Sequence, residues 1–160
     1  MKRLALVLCL AAFPLGLAAS AAASGSQNFQ ATFHDVWFQN PDCSPPIVFC
    51  GSGVVAGYGR ATTVVRVTRN VPIPGTDCND VAGIRWMTLE DGSGTFVSTF
   101  TGVRCPLGEG GHAFRVDFDW TADPNASNGV FAGATGAGTG VNTTAGNVQV
   151  VTLTGTITLP

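Results

Sequence analysis

Charge is scarce in this chain, and positive charge above all. Only 11% of its 160 residues are Asp, Glu, Lys or Arg, and the single Lys is Lys2. A chain with so few cations has no basic stripe to neutralise phosphates, so nucleic acid is excluded as a partner. Cysteine pairs spaced C-x-x-C and clustered histidines are absent, and with them the donor set of a zinc site, so no metal is expected. Asp117, Asp119, Asp123 and Asn125 lack the Gly and the terminal Glu of a calcium-binding EF-hand loop. No G-x-S-x-G nucleophile elbow occurs. Gly51-Ser52-Gly53-Val54-Val55-Ala56 matches G-x-G-x-x-A in letters only: it opens no helix, and a dinucleotide site needs a helix N-terminus for its pyrophosphate. No cofactor is expected. Helical periodicity is nearly missing throughout, and beyond residue 17 no apolar run approaches the ~20 residues of a membrane-spanning helix.

The first residues have a character of their own. Lys2 and Arg3 precede an apolar run from Leu4 to Leu17, and small residues follow, with Ala19-Ser20-Ala21 and Ala21-Ala22-Ala23 as alternative cleavage sequences. This is the layout of a signal peptide over residues 1–21, cleaved between 21 and 24, and it implies a secreted, extracytoplasmic protein. Cys9 lies inside the apolar run instead of at the cleavage zone, so it does not read as a lipid-anchor site. Residues 22–160 then form a single domain with six Arg against ten acidic residues and four cysteines, Cys43, Cys50, Cys78 and Cys105. Four cysteines in an exported chain read as two disulfides, with three connectivities open.

What is abundant is Gly, Thr and Val, with apolar residues in alternation. In Phe114-Arg115-Val116-Asp117-Phe118-Asp119-Trp120 the apolar residues all fall on one face, as in a strand with one face buried. Eight such segments are predicted, near 28–39, 49–58, 61–69, 80–90, 94–104, 112–121, 130–140 and 147–159. Pro, Gly and Asp/Asn clusters separate them. The expected fold is all-β, an eight-stranded antiparallel up-and-down barrel, with a β-sandwich as the alternative. Glycines inside strands, such as Gly57, Gly59, Gly83 and Gly102, fit the tight bends of a barrel wall.

One hairpin can be placed in register. If Asp91-Gly92 is a two-residue type I′ loop, Gly83 faces Phe100, Arg85 faces Ser98 and Trp86 faces Val97. The same ladder sets Cys78 against Cys105, close enough for a disulfide, and leaves Cys43 to pair with Cys50. A turn at Gly92-Ser93 would shift the register by two.

The first strand holds the polar residue of most interest. Phe29, Ala31, Phe33, Asp35 and Trp37 share a face, so a carboxylate sits among aromatics that would line a lumen. Its pKa should rise unless an Arg pairs with it, and that is one way an acid or base is prepared in an apolar cavity. A structural ion pair, or a bulge turning Asp35 outward, would leave the same trace in the sequence. Arg85 lies on the face of Val81, Gly83, Met87 and Leu89 and is the candidate partner. His34 points to the opposite face, and His112, at a loop edge, reads as solvated. Asn125-Ala126-Ser127 and Asn142-Thr143-Thr144 match glycosylation sequons.

Three stretches resemble a known family. Asn128-Gly129-Val130-Phe131-Ala132-Gly133-Ala134-Thr135-Gly136-Ala137-Gly138 resembles the G-G-T-G-x-F-x-G-A-x-G signature of allene oxide cyclase-like and dirigent barrels. Phe33-His34-Asp35 is similar to the His-Asp pair on the first strand of dirigent proteins. The end of the chain, Gln149 to Pro160, is similar to the ends of small exported proteins with that barrel. The resemblance implies an eight-stranded barrel, often trimeric, with an apolar lumen for a reactive or lipid-like molecule, and a functional role for Asp35. The Arg of the dirigent G-A-R-G motif is Thr135 here. Three functions are therefore expected: lumenal binding of a small apolar ligand, cyclase- or isomerase-type chemistry on a lipid-like or phenolic substrate with Asp35 and Arg85 as the active groups, or a structural, surface-interaction role.

Overall fold

The computed structural model describes residues 25–37, 43, 48–108 and 113–160. The expected signal peptide and His112 lie outside the described residues. The strands are β1 (Gly25–Trp37), β2 (Val48–Val55), β3 (Gly59–Pro72), β4 (Asn79–Leu89), β5 (Gly94–Pro106), β6 (Ala113–Ala122), the two-residue β7 (Asn128–Gly129), β8 (Thr135–Ala145) and β9 (Val148–Leu159). Every pairing is antiparallel. Each long strand pairs with the next, β6 with β8 across the short β7, and β9 returns to β1. That is a closed eight-stranded up-and-down barrel, with β7 an extra pairing on the start of β5. Closure gives each of the eight long strands a partner on both sides, so that none of them is an edge strand.

The β4–β5 hairpin has the expected register, with Gly83 opposite Phe100, Arg85 opposite Ser98 and Trp86 opposite Val97. Its turn is of another kind. Gly92 N–H donates to Leu89 O, Gly92 takes a left-handed φ of 75°, and Asp91 Oδ1 accepts from Ser93 N–H, so residues 90–93 make a four-residue connection. A two-residue loop at 91–92 and a four-residue loop at 90–93 have the same midpoint, so both impose the same pairing. One step beyond the ladder, Cys78 and Cys105 are bonded with Cα atoms 4.3 Å apart, close to the ~4.5 Å of a non-hydrogen-bonded cross-strand pair. Cys43 and Cys50 form the second disulfide, Cα to Cα 5.8 Å. Two disulfides are compatible with an extracellular protein. Among the described residues no helix is long and apolar enough to cross a membrane.

The two bridges close loops of different length, which sets an order of stability. With separations of 27 and 7 residues, loop-closure entropy assigns about 3.5 kcal/mol to Cys78–Cys105 and about 2.4 kcal/mol to Cys43–Cys50. Cys78→Ser/Cys105→Ser should accordingly lower the urea midpoint more than Cys43→Ser/Cys50→Ser. The reverse order would mean that the short bridge stabilises by more than loop closure.

Two details of the sequence reading are corrected. The segment 130–140 is not one strand: Gly129 and Gly133 take left-handed backbone, successive turns run from Asn128 O to Ala134 N, and β8 begins only at Thr135. Gly57 is not inside a strand but in the middle of the β2–β3 turn, and Gly59 opens β3, both with positive φ. Gly83 and Gly102 instead make room for inward rings: a Cβ there would stand 2.5 Å from the Phe100 ring and 2.6 Å from Phe118 Cβ.

Alternation sends one face of each strand inward. At the end holding the 90–93 and 123–134 connections the interior is solid. Phe29, Phe96 and Trp120 pack with ring centroids 4.9–6.0 Å apart, surrounded by Val55, Met87, Leu153 and Ile157. Phe131, from the turn that replaced the expected strand, is fully buried against Phe96 and Tyr58 and closes this end. The opposite end, which carries both disulfides, is hollow.

Candidate functional site

The hollow end contains a cavity of about 350 Å³. Its wall is apolar, with Phe49 from β2, Val65 and Val67 from β3, Phe100 from β5, and Phe114 and Phe118 from β6. Beyond Val67 a bulge in β3 shifts the register, so Asn70 rather than Arg69 stands opposite Val81 and lines the cavity. Alternation alone does not locate the bulge, because its extra residue lies on β3 and is left unpaired against β4.

A polar layer separates cavity from plug. Arg85 Nη1 donates to Asp35 Oδ2 at 3.1 Å and to Thr63 Oγ1 at 3.0 Å. Asp35 and Thr63 are fully buried, and Arg85 is 4% exposed. The guanidinium lies 5.8 Å from the centre of the Phe33 ring beneath it. Gln149, in register with Asp35 on β9, is also buried and accepts a hydrogen bond from Asn142 Nδ2. Asn142, part of one sequon, thus faces the interior. Asp35 Oδ1, Arg85 Nε and Ser98 Oγ are buried without a hydrogen-bond partner among the described residues. Asp35 fits only because residue 51 is Gly: a Cβ there would stand 2.6 Å from Asp35 Oδ1 and 2.1 Å from His34 O.

Burial dominates the electrostatics of the pair. Desolvation pushes the Asp35 carboxyl above its ordinary value of 3.8 against the opposing pull of Arg85, and desolvation lowers Arg85 against the pull of Asp35. Desolvation outweighing attraction is characteristic of a buried ion pair. Nearer the rim, Arg104 lies with its guanidinium carbon 3.5 Å from the centre of the Phe114 ring. Partial burial lowers its pKa, and no carboxylate among the described residues pairs with it.

The structure brings Asp35 and Arg85 together, but only Arg85 lines the cavity; Asp35 stands behind it. Phe29 and Phe33 point inward, as β1 alternation implies, yet they belong to the packed plug and do not line the cavity. The reason is height: they lie on the closed side of the Asp35 layer. Trp37, on the other side of that layer, stands opposite Phe49, and its side chain lies outside the described residues. Thr63, Gln149, Arg104 and Phe114 were not singled out from the sequence. Arg104 shares a face of β5 with Phe100 and Gly102, so alternation along that strand already puts it on the inner face. Alternation with Val151 and Leu153 likewise puts Gln149 on the inner face of β9, but its place beside Asp35 could not be found that way, because the β9–β1 seam joins the two ends of the chain.

No family model, curated protein or solved structure matches this chain.

Proposed function

We propose that this protein is an exported barrel that binds one small apolar molecule in the open half of its lumen. The observation that carries this reading is the unfilled, phenylalanine-lined cavity of about 350 Å³ in a barrel whose other half is packed solid. Ligand sites are concave and mostly apolar with a few placed polar groups, and Arg85, Asn142 and Gln149 at the floor supply those. Native mass spectrometry of the protein purified from the medium of its own cells, followed by organic extraction, tests it. One apolar molecule per chain is expected. Val67→Trp, whose side chain enters the cavity, should abolish uptake while changing stability by no more than about 1 kcal/mol. Uptake undiminished by that substitution would place the ligand elsewhere.

A second reading is a cyclase- or isomerase-type activity, as the resemblance to allene oxide cyclase-like and dirigent barrels implies. It is favoured by Arg85, which meets the cavity with its Nε unpartnered. In that reading Arg85 touches the substrate and Asp35, screened from the cavity, is a positioning residue that holds the guanidinium. Recovery of the bound molecule in chemically altered form, abolished by Arg85→Met, would select this reading over simple binding.

A further inference from the structure

The charges around the cavity do not cancel. Arg85 is balanced by Asp35, which sits directly behind it. Among the described residues Arg104 is not balanced: none of those lining the cavity is acidic, and each carboxylate that forms an ion pair does so with another Arg. Arg104 keeps its proton at any ordinary pH, so the described residues of the cavity wall carry one uncompensated positive charge in a chain of formal net charge −2. One face of the guanidinium is covered by the Phe114 ring, which leaves its N–H edge free to donate. A planar fork of N–H donors matches a carboxylate bidentately. The wall beside it is largely aromatic, with Phe100 and Phe118 in tilted contact at 5.5 Å and Phe114 two inward positions from Phe118 on the same strand, beyond Val116. Flat rings stack on such a wall with more than their area of contact. A volume of about 350 Å³ lies at the low end for small-molecule sites, which limits the occupant to one or two rings.

We propose that the lumen takes a small aromatic monoanion, an arene carboxylate, with its rings among Phe100, Phe114 and Phe118 and its carboxylate on Arg104. This inference rests on the lumenal-binding reading and adds the chemical class of the ligand. Arg104, not the buried Arg85, is the anion-recognition residue, because Arg85 already has its counter-ion.

The test uses 2-naphthoate and its neutral counterpart 2-naphthalenemethanol, titrated calorimetrically at pH 7.5 and low salt into the wild-type chain, Arg104→Gln and Arg104→Lys. Naphthoate should bind the wild type about tenfold or more tightly than the alcohol. Arg104→Gln should erase that preference and leave the affinity for the alcohol within about twofold. Arg104→Lys, which keeps the charge and loses the fork, should retain part of the preference. Circular dichroism of each variant confirms that the barrel is intact. Equal affinities in the wild type, binding of the alcohol alone, or a preference that survives Arg104→Gln would overturn the inference and leave lumenal binding standing. Binding of neither molecule to the wild type would overturn the lumenal reading and this inference with it.

Discussion

Replacing Trp120 with alanine is expected to remove about 3–5 kcal/mol of stability, a large share of what a domain of this size possesses. Trp120 is 1% exposed and sits where three strands converge. Its indole N–H donates to Thr139 O on β8 and Thr154 O on β9, both at 3.1 Å. Its ring lies across two glycines on those strands: a Cβ at Gly138 or Gly155 would come within 2.7 Å and 2.6 Å of Trp120 Cζ2. With no side chains at 138 and 155 to spread into the space, the vacated volume cannot be refilled locally, and cavity cost adds to lost transfer energy. Urea unfolding followed by far-UV circular dichroism measures the loss. Phe114→Ala, made in the half of the barrel that is already hollow, should cost well under half as much. Equal losses would mean that the two halves are packed alike.

The second large effect is a dependence on pH. In Arg85→Met, the Asp35 carboxylate keeps its burial and loses both the charge and the hydrogen bond of Arg85, the main influences that lower its pKa. Only the weaker influence of His34, on the outer face, remains, while Thr63 and Gln149 carry no charge. The folded-state pKa of Asp35 therefore rises further above its ordinary value of 3.8. A group whose pKa is raised on folding stabilises the fold fully below its unfolded pKa, and that contribution is lost as pH climbs through the folded pKa. Relative to wild type, Arg85→Met should lose stability from pH 4.5 towards 7.5, by at most about 1.4 kcal/mol per pH unit. The wild type has the same sign with a smaller amplitude. Exposed Asp91 and Asp117, whose partners lower their pKa values, contribute the opposite slope equally to both proteins, so the difference isolates Asp35. Arg85→Met/Asp35→Leu should remove the extra slope and be as stable as wild type or more so, since a buried ion pair is often worth no more than apolar residues of like size. Denaturant unfolding at the two pH values checks this; parallel profiles for Arg85→Met and wild type would show that Asp35 does not titrate in the folded chain over this range.

Period-two alternation, turn residues and an even number of cysteines were enough, without any coordinates, for an antiparallel all-β chain, for a barrel ahead of a sandwich, and for Cys78 bonded to Cys105 if the hairpin centres on Asp91-Gly92. Those signals are local, or span a single hairpin whose midpoint sets every pair in it. The inward direction of Asp35 and Arg85 was legible for the same reason, since alternation is a property of each strand by itself. The tertiary structure alone decided which inward residues line the cavity. Phe29, Phe33, Phe100 and Phe114 have the same pattern in sequence, yet closure of β9 onto β1 and the folding of Phe131 into one end make the first two a plug and the last two a cavity wall. The bulge that turns Asn70 inward and the seam that sets Gln149 beside Asp35 belong with them. Height along a barrel axis depends on stagger between strands far apart in the chain, and no periodicity within one strand contains it.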